Sequence, residues 1–233
     1  MTTKLRWLAV ICVLAGTIGC GVPRDPEKTL EEVTGGVMRV GITGSEPWTI
    51  LSGPEPAGVE VELVKQFAKS LDARIEWIEG SEEEIFEALE VRELDLAIGG
   101  FTIQSPWAGK VTFTHPYLTT PAVVGVPTGE PVPGDIDGLE VAVERGTHLA
   151  GILEKTDARP VEVEDIADAE GAAAVDNWLL DDLDLKDTGI RLDESDHVMA
   201  LPNGENAWIV KLERFLLTRE AEIADLLARE GEL

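Results

Sequence analysis

The chain has few residues of the kinds that build disulfides, metal centres or catalytic sites. Its two cysteines, Cys12 and Cys20, both lie at the N-terminal end, so the remainder forms no disulfide and offers no thiol. The three histidines are scattered at positions 115, 148 and 197, without metal-ligand spacing. No Gly-x-Ser-x-Gly, His-Glu-x-x-His or P-loop pattern is present. These absences argue against an enzyme, and the sequence predicts neither a metal site nor a cofactor.

Basic residues are also scarce. The chain has 45 acidic and 19 basic residues, a formal net charge of −26. Such a charge disfavours binding to nucleic acid or to anionic lipid. It would suit a cationic solute, although an acidic surface that only keeps the protein soluble explains the composition equally simply.

The N-terminal end has the pattern of a secretory signal. Lys4 and Arg6 precede an apolar run over residues 7–15 and then small residues. The run is shorter than the roughly 20 apolar residues that a membrane-spanning helix needs. Residues 17–20, Thr-Ile-Gly-Cys, resemble a bacterial lipobox, which implies cleavage after residue 19 and lipidation of Cys20. Plain secretion is the alternative. Residues 20–36 mix Pro, Gly and charge without apolar period, which predicts a tether.

The most informative stretch runs from Leu94 to Thr119. Apolar residues alternate over 94–98 as in a strand, and Gly99-Gly100 then allows close approach of a ligand to the backbone. Phe101 and Thr102 follow, and Pro106-Trp107 predicts the start of a short helix. The sequence therefore predicts a strand that ends in a binding loop.

The rest of the chain alternates between strands and helices. Residues 38–42 and 75–77 read as strands on either side of a core-facing helix near 63–71, and Ser81 with Glu84 fits a capping box. A β-α-β-α-β pattern then runs over 140–176. A strand at 197–201 and two C-terminal helices complete the chain.

These segments resemble the extracytoplasmic solute-binding proteins of family 3, the polar amino acid receptors of ABC importers. The similarity is carried by Gly99–Ile103 (GGFTI), by Gly58–Leu63 (GVEVEL), by the opening strand at Met38 and by Val143–Thr147 (VERGT). It implies an α/β fold of the two-lobed periplasmic-binding-protein type II, with two hinge crossings. Residues 37–122 and 202–233 would form lobe 1, and residues 123–201 a short lobe 2 that includes the hinge strands.

In this fold a ligand lies between the lobes, at the carboxyl ends of the strands. The resemblance implies that Gly100 and Thr102 hold one end of an amino-acid-like ligand through an amide and a hydroxyl group. On lobe 2, Gly146 and Thr147 begin a helix that favours an anionic group, and Asp176 ends a strand where it can pair with an ammonium. Other candidates at strand ends are Trp48 and, as a further cation partner, Glu46.

Trp107 departs from the family pattern. It stands where these receptors carry an arginine that pairs with the ligand carboxylate. A tryptophan instead offers a ring face to a cation, so Trp48, Phe101 and Trp107 are expected to form part of an aromatic cage. The alternative is that Trp107 only packs the loop.

The sequence thus predicts a solute-binding lipoprotein without catalytic residues, in the periplasm or on the cell surface. Its expected ligand is a small polar solute that is amino-acid-like or cationic. Its other expected partners are an ABC importer permease and, through a lipid anchor, the membrane. One alternative is a sensory or scaffolding lipoprotein with the same fold. A weaker alternative is a dehydratase-like enzyme that uses Glu46 and Asp176 for acid and base chemistry.

Overall fold

The computed structural model describes residues 24–107 and 109–230, with only the backbone of residues 228 and 230. The expected signal at 1–19 and Cys20 lie outside the described residues. Two five-stranded sheets with flanking helices make up this part of the chain, which is the predicted α/β class. Within the described residues no helix is both long and apolar enough to cross a membrane.

The first sheet has the strand order β2-β1-β3-β10-β4. Its strands are β1 (Val37–Ile42), β2 (Arg74–Glu79), β3 (Leu96–Ile98), β4 (Thr112–Phe113) and β10 (Ala200–Leu201). Strands β2, β1 and β3 run parallel, whereas β10 is antiparallel to both of its neighbours. The carboxyl ends of the three parallel strands therefore lie along one edge.

Helices cover this sheet through apolar stripes. In α2 (Val59–Ser70) the apolar residues recur three and four positions apart and are fully buried against the sheet. In α3 (Glu82–Glu90) the capping box is confirmed: the Ser81 hydroxyl accepts the Glu84 amide, and the Glu84 carboxylate accepts the Ser81 amide. The C-terminal helices α5 (Asn206–Leu216) and α6 (Glu220–Glu230) pack on the same body.

The second sheet has the order β7-β6-β8-β5-β9. Its strands are β5 (Leu118–Pro127), β6 (Glu140–Glu144), β7 (Arg159–Val163), β8 (Ala172–Asp176) and β9 (Leu185–His197), and helix α4 (His148–Leu153) packs on one face. The predicted strands at 140, 161 and 172 are present. Strand β9 begins 12 residues before the predicted returning strand at 197, because its alternation of charged and apolar residues continues through that region.

Two long strands connect the sheets. β5 and β9 pair antiparallel from Leu118 opposite His197 to Pro127 opposite Leu185. The ladder is irregular beside Ala122, where β9 carries an extra residue. Both passages of the chain between the sheets thus lie side by side as one ribbon.

The expectation of a tether over residues 20–36 is wrong from Arg24 onward. The Asp25 carboxylate accepts the amides of Ala207 (2.6 Å) and Trp208 (3.0 Å) at the start of α5, where helix amides lack intrahelical partners. Helix α1 (Thr29–Val33) follows and packs against the first sheet and α5. The polar residues of this segment thus include Asp25, which caps a helix in a distant part of the chain.

Candidate functional site

The candidate site on the second sheet lies at the edge where β6 and β8 end. In register, Asp176 of β8 and Asp193 of β9 both pair with Ala122 of β5, which lies between them. Cross-strand partners share one face of a sheet, so the two carboxylates and the Ala122 methyl group line a short row. His148, the first residue of α4, extends toward this row, and its Nε2 lies 3.3 Å from the Asp193 Oδ2.

The electrostatics of this row centre on Asp176. Burial raises the pKa of Asp176; the neighbouring His148 charge opposes the rise, and the Asp193 charge adds to it. Within the described residues, no lysine or arginine lies at ion-pair distance from Asp176. A partly buried carboxylate next to a second carboxylate is a place where a cation would be stabilised.

At the edge of the first sheet, a buried glutamate organises the loop after β3. Glu60 of α2 is 0% exposed, and its carboxylate accepts the amides of Gly99 (2.8 Å) and Gly100 (2.9 Å) and the hydroxyl of Tyr117 (2.6 Å). Burial raises the pKa of Glu60, although these three hydrogen bonds oppose the rise. The amide of Gly100 is therefore already used inside the protein, which corrects the expectation that it binds the ligand.

The residue at position 100 must be a glycine for two reasons. Its φ of +66° lies in the left-handed region, and an added Cβ would come within 2.6 Å of the Trp48 ring and 2.7 Å of the Ser45 hydroxyl. The loop thus lies directly against the segment after β1. The Gly99-Gly100 pair in the sequence is thus explained by the close approach of the two loops.

His197 joins this edge to the ribbon. Its ring stacks on Trp48 with centroids 3.9 Å apart, and its Nε2 lies 2.9 Å from the Thr120 Oγ1. Burial lowers the pKa of His197 to about 4, although the Asp196 charge and the Gly100 carbonyl favour the charged ring. Trp48 is itself 5% exposed, so its ring faces are used for packing inside the protein.

The aromatic cage expected from the sequence is not formed by the described residues. Trp48 belongs to the main core of the first lobe, whereas Phe101 and Trp107 belong to a separate cluster around α3. Trp107 stacks on Phe86 at 5.5 Å with the Lys110 ammonium 4.8 Å from its ring. The short helix expected at Pro106 is absent as well, since residues 103–107 and 109–110 form turns and extended backbone. Trp107 therefore packs the loop.

The remaining candidates lie around these two edges. Glu46 is exposed in the loop after β1, and Thr102 is partly exposed where its backbone bridges to His197. Gly146 and Thr147 precede α4, and the Thr147 hydroxyl donates to the Glu144 carbonyl at 2.8 Å. The sheet topology thus brings the predicted candidates to the strand ends, apart from the cage residues that are packed away.

Sequence reasoning missed Glu60, Tyr117, His148, Asp193 and His197. Glu60 had a readable signal, because it lies on the same helical stripe as Leu63, Val64 and Phe67, and an acid on an apolar stripe indicates a buried, hydrogen-bonded carboxylate. Asp193 had none, since its placement depends on which residue of β5 it pairs with. No group of His, Cys, Asp and Glu in the described residues is arranged to hold a metal ion.

Comparisons with known proteins agree with this architecture. The family model described as bacterial extracellular solute-binding proteins, family 3, matches residues 38–228. The membrane-bound lytic murein transglycosylase F of Vibrio cholerae is 32% identical over 102 residues, which cover 42% of this chain and 19% of that protein. The L-arginine-binding protein of Pseudomonas aeruginosa is 27% identical over 115 residues, 47% of this chain and 44% of that protein. The chain thus spans less than half the length of these relatives.

A solved structure shows the same fold. An ancestral cationic amino acid solute-binding protein superposes with a TM-score of 0.69 at 21% sequence identity, covering 88% of this chain and all of that protein. At this identity the similarity shows the fold alone. Both sheets and their connecting ribbon are therefore those of a two-lobed periplasmic binding protein.

Proposed function

Because the chain belongs to the bacterial extracellular solute-binding proteins of family 3, we propose that it captures a small polar solute between its two lobes and delivers it to an ABC-type importer. Capture in this fold means that the lobes close on a ligand that contacts both of them, so only such a ligand favours the closed form. The solute would be an organic cation, either a cationic amino acid or an amine.

The observation that carries this proposal is Asp176 at the end of β8, which has no lysine or arginine at ion-pair distance among the described residues. It is partly buried, has a raised pKa and lies beside a second carboxylate, so a ligand ammonium or guanidinium group would relieve the cost of both charges. The overall charge of −26 would also draw cations toward the cleft. Two similar proteins, an L-arginine-binding protein and an ancestral cationic amino acid solute-binding protein, are in keeping with this choice.

The other contacts of the ligand would come from both edges. On lobe 1 we assign Glu46 and Thr102 to the ligand, and on lobe 2 Gly146 and Thr147. Trp107 occupies the place of an arginine, so a carboxylate on the ligand would gain less here than in a receptor with that arginine. The proposed ligand is therefore held mainly through its cationic group.

The location follows from the N-terminal pattern. Lipidation of Cys20 would anchor the protein to the outer face of a membrane, in the periplasm or at the cell surface, next to its permease. Because the chain is folded from Arg24 onward, lobe 1 would begin only four residues after the lipid, a reach of at most about 14 Å. Such an anchor would keep the protein at the membrane surface.

We propose binding without turnover. The relatives include a murein transglycosylase, and a carboxyl group with a raised pKa, such as that of Asp176, is also suited to a general acid. A sensory or scaffolding lipoprotein that binds no solute is the other alternative, and the short second lobe favours it. Product formation from a bound solute would reveal the enzyme, and the failure of every solute to bind would favour the sensory or scaffolding role.

The test is thermal unfolding of the full chain with amino acids, amines, polyamines, betaines and organic acids. At 100 times its Kd a ligand adds about 2.7 kcal/mol of stability, which raises the midpoint of a domain of this size by roughly 5 to 10 °C. We expect cationic solutes to give this shift, Asp176→Asn to abolish it, and the nearby exposed Asp181→Asn to retain it. A shift by neutral solutes only, or an equal shift in Asp176→Asn, would contradict the assignment.

A further inference from the structure

Asp176 and Asp193 flank the same residue of β5 from opposite sides. Both residues pair with Ala122, on the strands that flank β5, so their backbones are about 10 Å apart, two strand spacings. The residue between them, Ala122, contributes only a methyl group and is 2% exposed, so other side chains cover it. The two carboxylates flank this covered position.

His148 is the cationic side chain next to these two carboxylates. Its Nε2 is 3.3 Å from Asp193, and its charge also acts on Asp176. The nearest other cation on β9, Arg191, pairs instead with Glu194 at 3.5 Å. Among the described residues, His148 is thus the one cationic side chain within ion-pair distance of Asp193.

The pair between His148 and Asp193 contributes little to the fold. The side chains are 56% and 44% exposed, and ion pairs that face water are worth little stability. The interaction can therefore be broken at small cost when a stronger cation arrives.

We propose that His148 is a specificity-determining residue that holds the place of the ligand's cationic group between Asp176 and Asp193 while the cleft is empty. On binding, His148 yields this place to an ammonium or guanidinium group, and Asp193 becomes a second partner of that group. The inference rests on the proposed function and names the ligand class more narrowly: cations that carry several N–H donors. A neutral solute cannot displace the histidine.

The test is calorimetric titration of the full chain with three probes: L-arginine, agmatine, which lacks the carboxylate, and L-citrulline, which lacks the charge. Wild type should bind arginine and agmatine and leave citrulline unbound. Asp193→Asn should weaken arginine binding about tenfold, as expected for the loss of one charge-assisted hydrogen bond. His148→Gln should bind arginine as tightly as wild type or several-fold more tightly.

The decisive variant is His148→Lys, because a lysine puts a permanent charge next to both carboxylates and competes there with the cationic group of the ligand. Arginine binding should fall at least about tenfold, while His115→Lys, a matched change at an exposed histidine far from β8, should bind as wild type does. Unchanged midpoints of unfolding would show that each variant is folded. If His148→Lys binds like wild type while Asp176→Asn does not bind, the role of His148 is refuted and the receptor function stands. If wild type binds none of the probes and no solute raises its midpoint, both proposals fail.

Discussion

The environment of His197 makes the stability of the protein depend on pH in a defined direction. The ring is 6% exposed and stacked on Trp48, and burial lowers its pKa to about 4, against about 6.5 in the unfolded chain. A folded pKa that is lowered contributes stability that is fully present above pH 6.5 and is lost as the pH falls toward 4.

The size of the effect follows from the difference between the two pKa values. Each pH unit between them is worth about 1.4 kcal/mol, so the free energy of unfolding should fall by about 2 kcal/mol between pH 6.5 and pH 5. Between pH 6.5 and pH 4 the free energy of unfolding should fall by about 3 kcal/mol in total. Glu60 and Asp176 act in the opposite direction, because their raised pKa values favour the folded state as they take up protons at low pH. The His197 contribution must therefore be isolated with a variant.

The assay is urea unfolding of wild type and His197→Gln at pH 7.5 and pH 5. A glutamine can keep a hydrogen bond to Thr120 but cannot take up a proton. We expect the stability advantage of wild type over His197→Gln to shrink by about 2 kcal/mol between the two pH values. His115→Gln, which removes an exposed imidazole, is the matched control. If wild type and His197→Gln have parallel pH dependences, His197 is not buried against Trp48 and the reasoning is refuted.

Two further predictions concern buried hydrogen bonds, and urea unfolding followed by circular dichroism measures both. Glu60→Ala should lower the free energy of unfolding by about 3 to 5 kcal/mol, because two loop amides and the Tyr117 hydroxyl lose their acceptor. Glu60→Gln should lower it clearly less. Equal losses in the two variants would show that the hydrogen bonds do not hold the loop. Trp208→Phe should cost about 1 to 3 kcal/mol, because the indole N–H donates to a backbone carbonyl at 2.7 Å. Trp178→Phe should cost less than Trp208→Phe, because the buried Trp178 N–H has no hydrogen-bond partner among the described residues; the reverse order would contradict this assignment.

The fold could be predicted well where the signals are local. The stripe in α2, the alternation in β1 and the capping box at Ser81 depend on residues within one turn or strand of each other. The segment from Arg24 to residue 36 was misread because its contacts are remote in sequence. Asp25 caps a helix that begins at Asn206, and composition alone carries no sign of such a partner.

The candidate site was predictable only in part for the same reason. Asp176 could be placed at a strand end from the alanine run before it, and Gly100 from the glycine pair. The prediction of an aromatic cage was wrong because a sequence does not show on which side of a loop a ring packs. Trp107 packs on Phe86, and Trp48 packs on His197. The row with Asp193 depends on the pairing of both Asp176 and Asp193 with Ala122, which only the strand register reveals.

In the proposed function, Asp176 holds the cationic group of a solute between the lobes. The most direct measurement is the dissociation constant of the most stabilising cationic solute, by equilibrium dialysis, for the full-length wild type, Asp176→Asn and Asp181→Asn. We expect saturable binding by wild type and Asp181→Asn. Binding should be at least about a hundredfold weaker in Asp176→Asn, because a ligand cation would then face a neutral side chain in a partly buried position. Equal affinities of wild type and Asp176→Asn would contradict it.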